Sequence, residues 1–160
     1  MRRTLILLTV MGVALIAGSI SMLVLPIQPT LNTGNLPVGK ANVTFVLYAG
    51  EASATTFAFG LKPGNLTSPG PTLTFNISDI VNVTVIDVGS MPHAFAVTDA
   101  PNTNANTLFG AAIASGGMPL NPGEKGTVVF KADTTGSYYY ICPVPGHVEQ
   151  GMWGKIIVKP

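Results

Sequence analysis

Cys142, His147 and Met152 stand at equal intervals, each pair separated by four residues, in the run 138–153, Tyr-Tyr-Tyr-Ile-Cys-Pro-Val-Pro-Gly-His-Val-Glu-Gln-Gly-Met-Trp. The chain has a single cysteine and two histidines. A β-type run ends at Cys142, Pro145 and Gly146 favour a turn that presents His147, and Gly151 lets the chain bend back before Met152. One short loop therefore offers a thiolate, an imidazole and a thioether to one point. The second histidine, His93, lies in 90–98, Ser-Met-Pro-His-Ala-Phe-Ala-Val-Thr, where period-two alternation puts His93, Phe95 and Val97 on one strand face.

Each residue alone has a plain structural reading. A single cysteine at a strand end is usually a small buried hydrophobe, a histidine beside Phe95 a satisfied core residue, and a methionine beside Trp153 a packing element. Together they form a donor set of two imidazoles, one thiolate and a weak axial thioether, which suits a copper ion that cycles between Cu(I) and Cu(II) for electron transfer. Zinc is the rival metal, but a thioether is a poor fourth ligand for zinc and no carboxylate takes its place within the loop.

The run 142–158, Cys-Pro-Val-Pro-Gly-His-Val-Glu-Gln-Gly-Met-Trp-Gly-Lys-Ile-Ile-Val, resembles the copper loop of cupredoxins, and its four-residue gaps are most similar to the rusticyanin and sulfocyanin group. The likeness covers residues 81–158. It implies a Greek-key β-sandwich, an all-β fold, that holds one copper ion through His93, Cys142, His147 and Met152. It also implies a mononuclear blue copper electron carrier, not an enzyme, that works as a monomer. Its partners would be redox proteins such as a cytochrome or a terminal oxidase of a respiratory chain. Many cupredoxins have Asn or Ser after the first histidine, whereas this chain has Ala94, whose backbone N–H stays free to reach the thiolate. The alternative role is a copper chaperone or storage module, for which the scattered methionines give little support.

The histidine count bears on enzymes of related fold. Multicopper oxidases and copper nitrite reductases need many more imidazoles for their catalytic coppers, and a binuclear copper centre needs two bridging cysteines. A carboxylate-ligated copper enzyme would have only Glu149 near the loop. An unpaired thiol in an exported chain is itself a sign of ligation or reactivity.

The elements that position these residues read as short strands. The alternation of Leu73, Phe75 and Ile77, and of Val81, Val83 and Val85, with Thr and Asn marks sheets with one buried face. Eight strands are expected, at 42–48, 55–59, 72–77, 80–88, 93–98, 127–131, 137–141 and 155–158, separated by turn signals such as Asn121-Pro-Gly-Glu and Asp133-Thr-Thr-Gly. Residues 100–120, rich in Asn, Ala and Gly, read as a long loop whose end, Gly116-Gly-Met-Pro-Leu, could fold over the metal end beside Met91 and Pro92.

Ahead of this domain, assigned to 41–160, residues 4–25 carry no charge after Arg2 and Arg3. A helix over 5–25 would be about 31 Å long, enough to cross a bilayer, and the flanking arginines orient it with the domain outside the cytoplasm. Residues 1–26 are thus expected to anchor the domain to the extracytoplasmic face of the membrane. The rival is a signal peptide, cleaved to leave a secreted or periplasmic domain. Residues 27–40 read as a polar tether. With a net charge of +1 and six lysines against seven acids beyond Arg3, the chain has no basic stripe for nucleic acid.

Overall fold

The computed structural model describes residues 39–160, which form ten β-strands in two five-stranded sheets. The strands are β1 (Val43–Ser53), β2 (Thr56–Lys62), β3 (Asn65–Thr67), β4 (Gly70–Asn76) and β5 (Ile80–Asp87), followed by β6 (Phe95–Thr98), β7 (Thr107–Ile113), β8 (Lys125–Lys131), β9 (Gly136–Ile141) and β10 (Trp153–Lys159). One sheet has the order β3-β2-β1-β5-β8 and the other β4-β10-β9-β6-β7. The all-β sandwich expected from the alternation is present, and among the described residues there is no helix. The expected membrane or signal helix at 1–26, and nearly all of the tether, lie outside the described residues.

The alternation becomes burial directly. In β5 Val81, Val83, Val85 and Asp87 are buried while Ile80, Asn82, Thr84 and Ile86 are half-exposed. In β4 Leu73 and Phe75 are buried between exposed Thr72, Thr74 and Asn76. The two inner faces meet in one core that includes Leu47, Phe59, Val83, Phe95, Phe130, Tyr140 and Ile156. Tyr140 is its polar exception: its hydroxyl donates to the Pro71 carbonyl at 2.6 Å, which satisfies the buried O–H. Gly154, opposite Tyr140 in the β9–β10 register, leaves the space that the ring occupies.

Two registers place the site. The antiparallel pair β9–β10 aligns Ile141 with Trp153, so residues 142–152 form a closed loop at the end of the hairpin. The antiparallel pair β6–β9 aligns Ala96 with Ile141, which brings residues 93 and 94 beside the start of that loop. In the other sheet β1 runs parallel to β5 as far as Ala49 opposite Asp87, and β1–β2 places Glu51 opposite Phe57.

Several expectations change. All eight expected strands exist, but β1 extends to Ser53, and the short edge strand β3 was not foreseen. The stretch 100–120 contains β7, which pairs with β6. Its alternation was hidden by Gly and Ala and by the left-handed backbone of Phe109 (φ 55°) and Gly110 (φ 63°), which disturb the two-residue period. The strand expected from His93 begins at Phe95 instead; His93 forms an isolated bridge with Leu120.

Asp87 caps this end of β5. It is 1% exposed; its Oδ1 accepts the Gly89 N–H at 2.9 Å and its Oδ2 has no partner. Burial, which the Gly89 N–H only partly offsets, pushes its carboxyl up to about 6 from an ordinary 3.8. The folded state thus holds the Asp87 proton more tightly than the unfolded chain, so this stabilisation is present below about pH 4 and is lost as pH rises through about 6. Over that window it amounts to about 3 kcal/mol. Asp87→Asn cannot titrate. Urea unfolding of both proteins at pH 4 and pH 7 should show the wild type losing stability relative to the variant as pH rises; a constant difference between them would contradict this.

Candidate metal centre

The hairpin loop is fixed by its own backbone. The Cys142 N–H donates to the Met152 carbonyl at 3.1 Å, the Met152 N–H to the His147 carbonyl at 2.9 Å, and the His147 N–H to the Val144 carbonyl at 3.1 Å. The carbonyls of Cys142 and Val144 precede Pro143 and Pro145, which have no N–H to place, and the left-handed turns fall on Gly146 (φ 84°) and Gly151 (φ 95°). Ser68 Oγ donates to the Gly151 carbonyl at 3.0 Å and lies where a side chain at 151 would have to go.

His93 arrives from the turn before β6. Its N–H donates to the Leu120 carbonyl at 3.0 Å and its carbonyl accepts the Leu120 N–H at 2.8 Å. As the sequence suggested, the end of 100–120 folds over this region: Gly116 sits directly on the Pro143 carbonyl, with no room for a side chain.

Three donors converge. His93 Nδ1 lies 3.2 Å from His147 Nδ1, and Cys142 Sγ lies 3.4 Å from His147 Nδ1. The ligand atoms of His93, Cys142 and His147 all lie within 4.8 Å of one another, and all three residues are buried. The Ala94 N–H donates to Cys142 Sγ at 3.3 Å, the contact that a residue lacking a side-chain donor leaves to the backbone. Met152 is fully buried in the same core cluster as Cys142, and its backbone bonds both other loop donors.

Desolvation sets the protonation. Burial lowers His93 to about 4, with a further push from His147 and an opposing pull from Glu51. Burial also lowers His147, against Glu51 and Glu149. Both rings are therefore neutral near pH 7 and have lone pairs to give. Burial pushes the Cys142 thiol up to about 11, against the Ala94 and Val144 N–H groups. A thiol this reluctant to ionise needs a cation to take the place of its proton. Two facing imidazole nitrogens and one sulfur, dry and close, fit a soft cation such as copper, which Cys and His both ligate.

The groups packed around these donors come from elsewhere in the chain. The His147 ring is only 4% exposed, and Phe57 stacks on it at 3.8 Å between centroids and 16° between planes. Phe57 also meets the His93 ring edge-on at 5.6 Å. The carboxylate near the site is Glu51, whose Oε1 is 3.9 Å from His93 Nε2, whereas Glu149 is exposed and faces Thr103. Phe57 and Glu51 come from the opposite sheet, about 40 to 90 residues away in the chain from the groups they meet. Nothing local in the sequence marks either one. Their signal is the β1–β2 hairpin register, which pairs them.

The pattern of the copper binding proteins of the plastocyanin/azurin family matches residues 71–159. Rusticyanin of Acidithiobacillus ferrooxidans is 33% identical over 132 residues, which span 76% of this chain and 85% of that protein. A copper-containing nitrite reductase of Alcaligenes xylosoxydans xylosoxydans is 34% identical over 98 residues, 58% of this chain but only 27% of the reductase. The structure of auracyanin B superposes with a TM-score of 0.54 over 79% of this chain and 96% of that one, at 20% identity.

Proposed function

Because the chain belongs to the plastocyanin/azurin family of copper binding proteins, we propose that it is a mononuclear blue copper protein that carries single electrons between partner proteins. The observation behind this reading is the convergence of two neutral imidazoles and one thiol in a buried site. His93, Cys142 and His147 would hold the ion, with the buried Met152 as a further, weak thioether donor. Copper contributes the one-electron couple. The protein keeps the donors in one arrangement through the loop hydrogen bonds and the Phe57 stack, so a change of charge meets little rearrangement. The Ala94 N–H draws electron density from the sulfur, and the apolar surroundings disfavour the more highly charged oxidised site, so both raise the potential.

Copper-containing nitrite reductase is among the relatives, but both histidines of this chain are engaged at one centre. A catalytic copper built from further imidazoles would have none to draw on within this chain, which favours a carrier over an enzyme. The N-terminal pattern, two arginines and then an uncharged run over 4–25, supports a domain tethered at the extracytoplasmic face of the membrane. There it would exchange electrons as a monomer with a cytochrome or a terminal oxidase.

The proposed docking face is the rim of the hairpin loop. Pro145 is exposed and Pro143, Val144 and Gly146 are half-exposed, with no charged side chain among them. Met118 is 80% exposed, on the turn that covers Pro143. A large apolar side chain this exposed beside the site suits hydrophobic docking. Met118→Glu leaves the core untouched and puts like charges on two approaching copies. Electron self-exchange of the copper protein, followed by NMR line broadening, should slow about tenfold with the visible spectrum unchanged. An unchanged rate would remove this face from the account.

Met152 has its own test. Gln at 152 offers a harder oxygen that stabilises Cu(II), and Leu offers no ligand, so the potential should fall with Met152→Gln and rise with Met152→Leu. Each tenfold change in the redox equilibrium is about 59 mV. Voltammetry giving one potential for all three proteins would make Met152 a packing residue only.

A further inference from the structure

The two nitrogens of His93 have different surroundings. Nδ1 faces His147, while Nε2, on the other side of the ring, is buried without a hydrogen-bond partner. A neutral imidazole carries one hydrogen, so a ring that ligates through Nδ1 must keep it on Nε2. Metal binding therefore turns Nε2 into a permanent buried donor, and metal-bound histidines ordinarily give that hydrogen to an acceptor.

Glu51 stands ready to accept it. Its Oε1 is 3.9 Å from His93 Nε2, too long for a hydrogen bond but within reach of a small side-chain rotation. Its carboxylate is already anchored: it accepts the Ser90 N–H at 3.0 Å and the Met91 N–H at 3.0 Å, and the Ser90 hydroxyl at 3.3 Å. A carboxylate held by N–H donors in this way is an anion at neutral pH. The gap between the two side chains is kept open by Gly89. A Cβ there would lie 2.8 Å from Glu51 Oε2 and 2.9 Å from His93 Nε2, wedged between them.

We propose that Glu51 is a positioning residue for the copper site: it accepts the Nε2–H of His93, fixes that ring's tautomer and orientation, and adds a negative charge at the edge of the centre. This rests on copper binding at His93 Nδ1. A nearby anion favours the more positive oxidised state, so Glu51 opposes the apolar surroundings and holds the potential down.

Glu51→Gln keeps a carbonyl oxygen for the Ser90 and Met91 N–H groups and removes the charge. The redox equilibrium should shift about tenfold toward Cu(I), about 59 mV upward, with the thiolate-to-copper band retained. Glu51→Asp, with its charge on a shorter stem, should fall between. In the wild-type Cu(I) protein, 15N-resolved NMR should place the His93 Nε2–H proton well downfield of a free imidazole N–H, a reading that needs no variant. A normal band with an unmoved potential in the Gln variant, or an Nε2–H at the free-imidazole position, overturns the role of Glu51 alone. Wild-type protein that binds copper without a thiolate band overturns both this role and the copper reading beneath it.

Discussion

Two imidazole nitrogens 3.2 Å apart, with a thiol sulfur 3.4 Å from one of them, are a costly arrangement in a dry interior. Each polar group buried without full partnership costs on the order of 1–3 kcal/mol, and the two facing nitrogens can share at most one hydrogen. His93 Nε2 has no hydrogen-bond partner. The remainder of the sandwich withstands this cost by making the positions rigid: a hairpin closed at Ile141 and Trp153, a neighbouring strand in register with it, and the aromatic residues Phe59, Phe95 and Tyr140 in the same core as Cys142 and Met152. A cation that takes three donors at once relieves the penalty, so the cost of holding these donors together and an affinity for metal are two sides of one arrangement.

The two sheets divide the work. The sheet containing β9, β10 and β6 supplies every candidate ligand, on one hairpin loop and on the turn before an adjacent strand. The opposite sheet supplies the environment, with Phe57 on the His147 ring and Glu51 beside His93, paired with each other across β1 and β2. A group in one sheet can thus adjust the ligands in the other without disturbing the loop that holds them. Asp87 and the turn after it join the two, since Glu51 binds the N–H groups of Ser90 and Met91, next to His93.

The candidate donors were legible as a group in the sequence because the chemistry is scarce. With one cysteine and two histidines, the donor types had few places to occur, and Pro145, Gly146 and Gly151 marked the loop that gathers them. Strands such as β4 and β5 were legible because Val, Leu and Phe alternate with Thr and Asn without interruption. Strand β7 was not, because Gly110 and the left-handed Phe109 break the period on which such a reading depends. Glu51 and Phe57 were missed for a different reason: their proximity to the imidazoles is made by pairing between strands distant in the chain, and nothing in their own neighbourhood records it. The same blindness assigned the nearby carboxylate to Glu149, close in sequence, whereas Phe57, which covers the His147 ring, lies 90 residues before it.

The claim that His93, Cys142 and His147 hold one redox-active copper through a thiolate has a direct optical signature. Titrating the copper-free protein with Cu(II) should raise an intense visible thiolate-to-copper band that saturates at one equivalent per chain and is absent from Cys142→Ser. Saturation without that band, or an equal band in the serine variant, would contradict the account.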